Sequence, residues 1–310
     1  MKGKKDRVSF WKRLRRDLKV NYVLYIMLIP VILYYVLFSY VPMAGVQLAF
    51  KEYYVKKGIW ESPWVGLDNF KRFLSSYNFT SLIMNTLGIS IYCLIVGTIV
   101  PIVFSLLLNY VKKRWWKKTL QMVTYLPYFI STVVMVGMLN IFLGDNGVLN
   151  VFLQKLGIGS IAFLSSGDMF RGVFAWSGAW QGMGFSSVIY VAALSGVDVQ
   201  IHEAAIVDGA SIWRRIWHID LMELRPTIFL SLIMGLGGVL NVGYEKVLLM
   251  QNSLNISTSE VMSTYVYKVG LINSDYGFST AVGLFNSLIS MVLIIVANRV
   301  AKKTVGYSMW

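Results

Sequence analysis

Apolar residues gather into six runs along this chain, at about 21–40, 81–109, 119–143, 171–194, 226–250 and 279–298. Each approaches or exceeds the roughly 20 residues that a helix needs to cross a hydrocarbon core about 30 Å thick. The polar stretches between them are mostly short, which favours one continuous unit over several domains. Only the connection from Val41 to Thr80 is long. The pattern therefore predicts an all-α integral membrane protein of six transmembrane helices over 21–310, preceded by a basic tail over 1–20. One polar insert, about 199–225, separates the fourth run from the fifth and contains "HEAAIVDGASIWRRIWHIDLMELR". No internal repeat or low-complexity segment interrupts the series.

Composition agrees with a lipid environment, since 56% of the residues are hydrophobic and 14% charged, where a soluble domain carries about a quarter charged. The formal charge of +14 is compatible with nucleic acid or with a membrane surface, and placement decides between them. Twenty Lys and Arg fall in the N-terminal tail, the "NYVKKRWWKK" loop, the insert and the C-terminal tail, against seven in the alternate connections. Positive residues stay on the cytoplasmic side of short loops. Both termini and the insert are thus expected in the cytoplasm, with lipid and not nucleic acid as the partner. The basic start followed by Val20 to Tyr40 looks like a signal peptide, but that apolar stretch is too long for a signal core and reads as a retained first span.

Candidate chemistry is sparse. Cys93 is the single cysteine, so neither a disulfide framework nor a cysteine metal site is available. His202 and His218 both lie in the insert without metal-ligand spacing, and read as interface or surface polar groups. No G-x-x-x-x-G-K-[ST] loop occurs, which excludes P-loop binding of ATP by this chain. Neither a metal nor another cofactor is expected in it. In the first outer connection Asp68 is placed to cap a short helix carrying Phe70, Phe73 and Leu74 on one face, along the outer membrane surface.

Polar groups inside apolar runs are costly and tend to face protein or water. The fifth run carries Gly237, Gly238, Asn241, Tyr244 and Glu245 near one helical face. They suit either a substrate route or helix packing in which Glu245 pairs with Lys246 or a neighbouring helix. In the fourth run Trp176 and Trp180 stand one turn apart with Gln181 beside them. Aromatic faces and amides fit a sugar; an interfacial aromatic belt or simple packing accounts for them equally.

The insert is the most specific feature. "VQIHEAAIVDG" reads as a short helix stopped by Gly209, a residue free to take positive φ. Ser211 then caps a second helix from Ile212 to Leu224 that runs into Pro226. Ala204, Ala205 and Ala210 leave little bulk at the corner, while Glu203 and Asp208 offer acceptors. Such a knuckle fits a groove, although an amphipathic loop on the membrane surface has the same outline. The residue order goes further, because Glu203, Ala204, Ala205, Asp208, Gly209, Ala210, Ile219 and Leu221 match the EAA motif of ABC-importer permeases. Met222 departs from it, standing where the pattern has proline, so the turn there is expected to be less kinked.

Outside the insert, "YVPMAGVQLAFKEY", "TYLPYFIS", "GYEKVLLMQN", "STYVYKVGL" and "YGFSTAVGLFNSLIS" resemble permeases of maltose-type carbohydrate importers. They are most similar to the subgroup handling aldouronates and complex polysaccharides. The resemblance covers nearly the whole chain and implies a type I permease fold in a bacterial plasma membrane, with the insert as the coupling helix that docks on an ATPase. It implies as partners a second, homologous permease and two ATPase subunits holding ATP and Mg. It also implies an extracellular solute-binding protein, lipid-anchored or periplasmic, delivering an oligosaccharide. A permease for another solute, an ion-gradient-driven transporter and a membrane enzyme are the alternatives. The last would need an acidic or histidine cluster that this sequence lacks.

Overall fold

The computed structural model describes the backbone of residues 10–305 and the side chains of 15–303, Asn241 excepted in both. Among the described residues there is no β-strand, only one isolated antiparallel bridge between Lys51 and Trp64. The amphipathic α1 (Phe10–Val20) precedes α2 (Tyr22–Tyr35), which continues through a π turn (Val36–Tyr40) and a 3-10 stretch (Val41–Phe50). Apolar on every side, α2 has no buried residue, as expected of a helix whose solvent is lipid or a partner chain.

The long connection holds α3 (Gly58–Glu61) and α4 (Asp68–Leu74). Asp68 opens α4 without capping it; its carboxylate instead meets Lys71 Nζ at 3.2 Å. Phe73 is buried against the rings of Phe79, Phe278 and Phe285, whereas Leu74 stays exposed. The face expected to lie on the membrane therefore partly closes one end of the bundle.

The centre is α5 (Phe79–Asn109) packed along α9 (Gly167–Leu194). At 1.5 Å per residue α9 is about 42 Å long, enough to cross a bilayer. Between them run α6 (Arg114–Tyr125), a 3-10 turn (Leu126–Phe129), α7 (Thr132–Leu143) and α8 (Val148–Lys155). The third apolar run is thus not one helix. Ile130 and Ser131 are extended, and Ser131 Oγ caps α7 by accepting from Val134 N at 3.4 Å.

After α9 come α10 (Val199–Val207), α11 (Ile212–Arg215), a π turn (Ile216–Asp220) and α12 (Leu221–Gly237), the last three continuous. The fifth apolar run is also broken: α12 ends at Gly237 and helix resumes only with α13 (Tyr244–Met250). A short path through α14 (Ile256–Ser259), α15 (Met262–Tyr267) and a π turn (Lys268–Ile272) leads to α16 (Tyr276–Val305).

Four helical stretches among the described residues are long and apolar enough to span: Tyr22–Phe50, Phe79–Asn109, Thr132–Lys155 and Tyr276–Lys303. Gly167–Leu194 joined to Val199–Val207 at a 75° bend makes a fifth. The fifth apolar run is not among them, because α13 is short and the helix that ends at Gly237 carries Asp220, Glu223 and Arg225 in its apolar half.

Packing places the halves in separate clusters. Ile89, Val136, Phe174, Val247 and Met250 bring α5, α7, α9 and α13 together in the middle. Ile102, Leu106, Tyr190, Leu194 and Leu224 join α5, α9 and α12 toward the insert.

Candidate functional site

The insert forms a corner built by its own backbone. Asp198 Oδ1 caps α10 by accepting from Gln200 N at 2.9 Å. At the other end Gly209 takes φ +74°, the Ala210 N–H reaches Ala205 O at 2.8 Å and the Gly209 N–H reaches Ile206 O at 3.0 Å. Those two bonds are the 6→1 and 5→2 pair of a Schellman motif, which explains why glycine stands there. Ser211 Oγ then caps α11, accepting from Arg214 N at 3.4 Å. Helix stop, corner and restart all follow the sequence expectation; the second helix differs in passing through a π turn.

Glu203, Ala204, Asp208 and Gly209 are exposed at this corner, with Ala205 and Ala210 half-buried behind them. Val207 and Trp213 present 88% and 77% of their surface, so the outer side of the corner is apolar as well as charged. Beneath the corner lies a recess of about 330 Å³ bordered by Ala205, Asp208, Ala210, Arg214 and His218. The corner thus carries an acidic and apolar crest above a hollow where Asp208 meets Arg214 and Arg215.

A buried polar knot ties the corner to the bundle. Asp220, at the end of the π turn, is fully buried. Its Oδ2 accepts from Tyr110 OH at 2.8 Å, and His202 Nε2 on α10 stands 3.3 Å from its Oδ1. The Arg215 guanidinium lies 5.6 Å from the Tyr110 ring centre. Tyr110, just past the end of α5, has its hydroxyl pKa pushed up to about 12, first by burial and then by its hydrogen bond to Asp220. Three elements, α5, α10 and the π turn before α12, therefore meet on one carboxylate. Sequence reasoning missed this knot and read His202 only as an interface or surface polar group. The available signal was Asp220 itself, an acid among Ile219, Leu221 and Leu224, where only a partnered carboxylate is tolerable.

The residues expected along a substrate route do not form one cluster. Asn241 lies outside the described residues. Tyr244 is half exposed and stacks on Tyr267 at 5.9 Å; Glu245 is exposed. Glu245 and Lys246 are not paired: the Lys246 ammonium crosses to α9, where it donates to Phe174 O at 2.9 Å and Ser177 Oγ at 3.0 Å. Trp176 and Trp180 border an apolar cleft of about 730 Å³ against Met135, Leu139 and Phe142 of α7. Trp176 Nε1 also donates to Tyr92 OH at 3.0 Å. Gln181, next to Trp180, donates to Ile130 O at 2.7 Å and borders a separate cavity together with Lys246. Adjacent positions on α9 thus serve different cavities, as the roughly 100° between successive helical residues requires. No group of three or more His, Cys, Asp or Glu among the described residues is placed to hold a metal ion.

Residues 101–305 match the family model described as the inner membrane component of binding-protein-dependent transport systems. The chain is 41% identical over 297 residues to Protein LplB of Bacillus subtilis (strain 168), covering 96% of this chain and 92% of that one. It is 38% identical to the polygalacturonan/rhamnogalacturonan transport system permease protein YteP of the same organism, covering 96% and 94%. A bacterial alginate ABC transporter, solved with its alginate pentasaccharide-bound periplasmic protein, contains a chain that superposes with TM-score 0.88 at 35% identity, covering 96% of this chain and all of that one. The helical architecture with its bent insert and these likenesses over nearly the full length converge: the chain belongs to the inner-membrane permease family of binding-protein-dependent ABC importers.

Proposed function

We propose that this chain is one of two homologous permeases that together form the route of an ATP-driven oligosaccharide importer in a bacterial plasma membrane. Two ATPase subunits dock on the cytoplasmic side, and a lipid-anchored or periplasmic solute-binding protein delivers the sugar outside. This chain itself holds no ATP, metal or other cofactor. It crosses the membrane six times with both termini in the cytoplasm. In this reading the third span is α6 with α7, and the fifth is α12 with α13, joined across Gly238–Gly243. The oligosaccharide cargo is supported by the relative named for polygalacturonan and rhamnogalacturonan and by the alginate transporter.

One observation carries the mechanism: the Gly209 corner, with Glu203, Ala204, Ala205, Asp208, Gly209 and Ala210 in the family's motif order, is exposed at its crest and anchored at its base. A partner that closes on α10 pushes a helix that leaves α9 at a 75° bend and whose His202 Nε2 lies 3.3 Å from Asp220 Oδ1 on the α12 side. Motion at the crest then reaches α9 and α12 together. Such coupling needs a contiguous element, and the chain running from α9 through the insert into α12 is one.

The test is the reconstituted complex with Gly209→Val and Glu203→Ala. A Cβ at Gly209 meets nothing within 4 Å, so within this chain valine acts through backbone strain, about 1–3 kcal/mol for a β-branched residue at positive φ. Its added bulk also presses on the docked partner. Glu203→Ala removes an acceptor without adding volume. Both complexes should assemble and hydrolyse ATP with little stimulation by loaded binding protein, and import little sugar. Wild-type stimulation and uptake in both would make the insert a passive surface loop.

A further inference from the structure

The link from α5 to α6 and the first turns of α6 concentrate charge and indole that neither the coupling corner nor the cavities use. Lys112, Lys113, Arg114, Lys117 and Lys118 surround Trp115 and Trp116, and the sequence holds no Asp or Glu between Asp68 and Asp145. The four ion pairs among the described residues all lie elsewhere. Lys117 is half-buried and the other six are exposed, with Trp115 and Trp116 presenting 67% and 49% of their surface. Like charges packed this closely repel one another, and an anionic surface relieves that repulsion.

The depth of the cluster follows from two contacts. Gln181 Nε2 of α9 donates to Ile130 O at 2.7 Å, and a Cβ built on Gly184 would stand 2.2 Å from Thr124 O, so α6 runs antiparallel to α9. Arg114 precedes Thr124 by as many residues as Leu194 follows Gly184, about 15 Å in each case at 1.5 Å per residue. The start of α6 is thus level with the end of α9, where the chain turns into the insert. Tyr110, just before Lys112, independently fixes the same level by donating to Asp220 Oδ2 at 2.8 Å.

From that level the outward side of α6 changes in the order a phospholipid does. Trp116, Leu120 and Val123 share one stripe at i, i+4 and i+7, with Trp115 and Met122 beside it, and all five are exposed. Basic groups at the helix end, indoles next and aliphatic side chains beyond match phosphate, glycerol and acyl chain. An acidic protein surface would satisfy the lysines but leave the indoles and the aliphatic stripe uncovered. A zwitterionic headgroup brings a cation of its own into a cluster that has no acid to receive it.

We propose that residues 112–118, with the stripe of Trp116, Leu120 and Val123, form a binding site for an anionic phospholipid. The lysines and Arg114 hold the phosphate, and the acyl chains lie along α6. The site requires only that the insert's end of the bundle meets a headgroup layer, and it is independent of what the complex carries.

The experiment uses the assembled complex, captured through a tag on this chain, in vesicles of phosphatidylcholine and phosphatidylglycerol. Val123→Cys carries a bimane on the exposed stripe, and the complex without that cysteine serves as blank. The quencher is phosphatidylglycerol or phosphatidylcholine spin-labelled on the same acyl chain. With the lysines intact, half-quenching should need about 3- to 10-fold less phosphatidylglycerol than phosphatidylcholine. Replacing Lys112, Lys113, Lys117 and Lys118 together by Gln should bring the two lipids within about twofold, as should salt near 1 M, where the Debye length falls to about 3 Å. Equal quenching by both lipids with the lysines intact, or a preference that the fourfold variant keeps, overturns the site. Quenching by neither lipid would show that a protein chain covers this face, and overturns it too. Should the fourfold variant not assemble, Lys112→Gln with Lys113→Gln, both outside α6, replaces it, and an unchanged preference there ends the proposal.

Discussion

Asp220 concentrates the demands on the insert into a single carboxylate. Tyr110 OH donates to its Oδ2 at 2.8 Å, while Oδ1 lies 3.3 Å from His202 Nε2 without a hydrogen bond, so three elements converge on one buried carboxylate and truncation there is costly. Removing one member leaves the others desolvated and unpaired, at about 1–3 kcal/mol for each neutral group and more for a charge. Asp220→Ala should therefore lower the thermal midpoint of the purified complex and weaken ATPase stimulation more than Tyr110→Phe, which deletes only a donor. Equal midpoints for Asp220→Ala and wild type would show that the knot holds nothing. Tyr110 also gives a pH signature. Its folded pKa, about 12, lies above the ordinary value near 10, so its contribution is complete below about pH 10 and disappears as pH rises through 12. Wild type should lose stability across that alkaline window more steeply than Tyr110→Phe, as followed by thermal scans.

At the scale of elements, glycine decides where helices touch and where they stop. A Cβ built on Gly184 of α9 would stand 2.2 Å from Thr124 O, a backbone atom of α6 that cannot turn away. The same addition at Gly182, on the same helix, meets Ser186 Oγ at an unstrained 3.9 Å. Gly184→Ala should hence destabilise the complex by about 1–3 kcal/mol as an overpacked contact, and Gly182→Ala should be nearly neutral in the same melting measurement. Comparable effects at the two sites would mean that α6 does not cross at Gly184. The glycine pair of the fifth run suited helix packing, and in the structure it also ends a helix. Gly237 abuts Ile294 of α16, where a Cβ would fall 2.8 Å from Cδ1, and α12 ends there. Less legible was the break at Ile130 and Ser131. Apolar residues flank it on both sides, so hydropathy passes over it, and only Pro127 and the capping serine mark it. The insert was readable to single residues because helix stops and caps are local events. The cavities were not, because which of Trp180, Gln181 and Lys246 share one depends on α5, α7 and α13, distant in the chain.

For the whole molecule, the orientation rests on charge, and the described fold permits a direct test of it. Ile206 at the crest of the insert and Val55 in the long first connection are both well exposed, at 54% and 72%, so a cysteine at either is accessible to reagent. Cys93, half-buried between α5 and α9, is the only native thiol, and Cys93→Ala clears the background at the cost of a small cavity. If the basic connections face the cytoplasm as the positive-inside bias requires, Ile206→Cys should react with an impermeant maleimide only in inside-out vesicles. Val55→Cys should react only in intact or right-side-out preparations. An odd number of crossings lies between the two positions in the six-span arrangement, because α5, α6 with α7, and α9 each cross once. Labelling of both from the same side would remove one of those crossings. The broken helix α6–α7, interrupted at Ile130 and Ser131, would then be the segment that enters the membrane and returns.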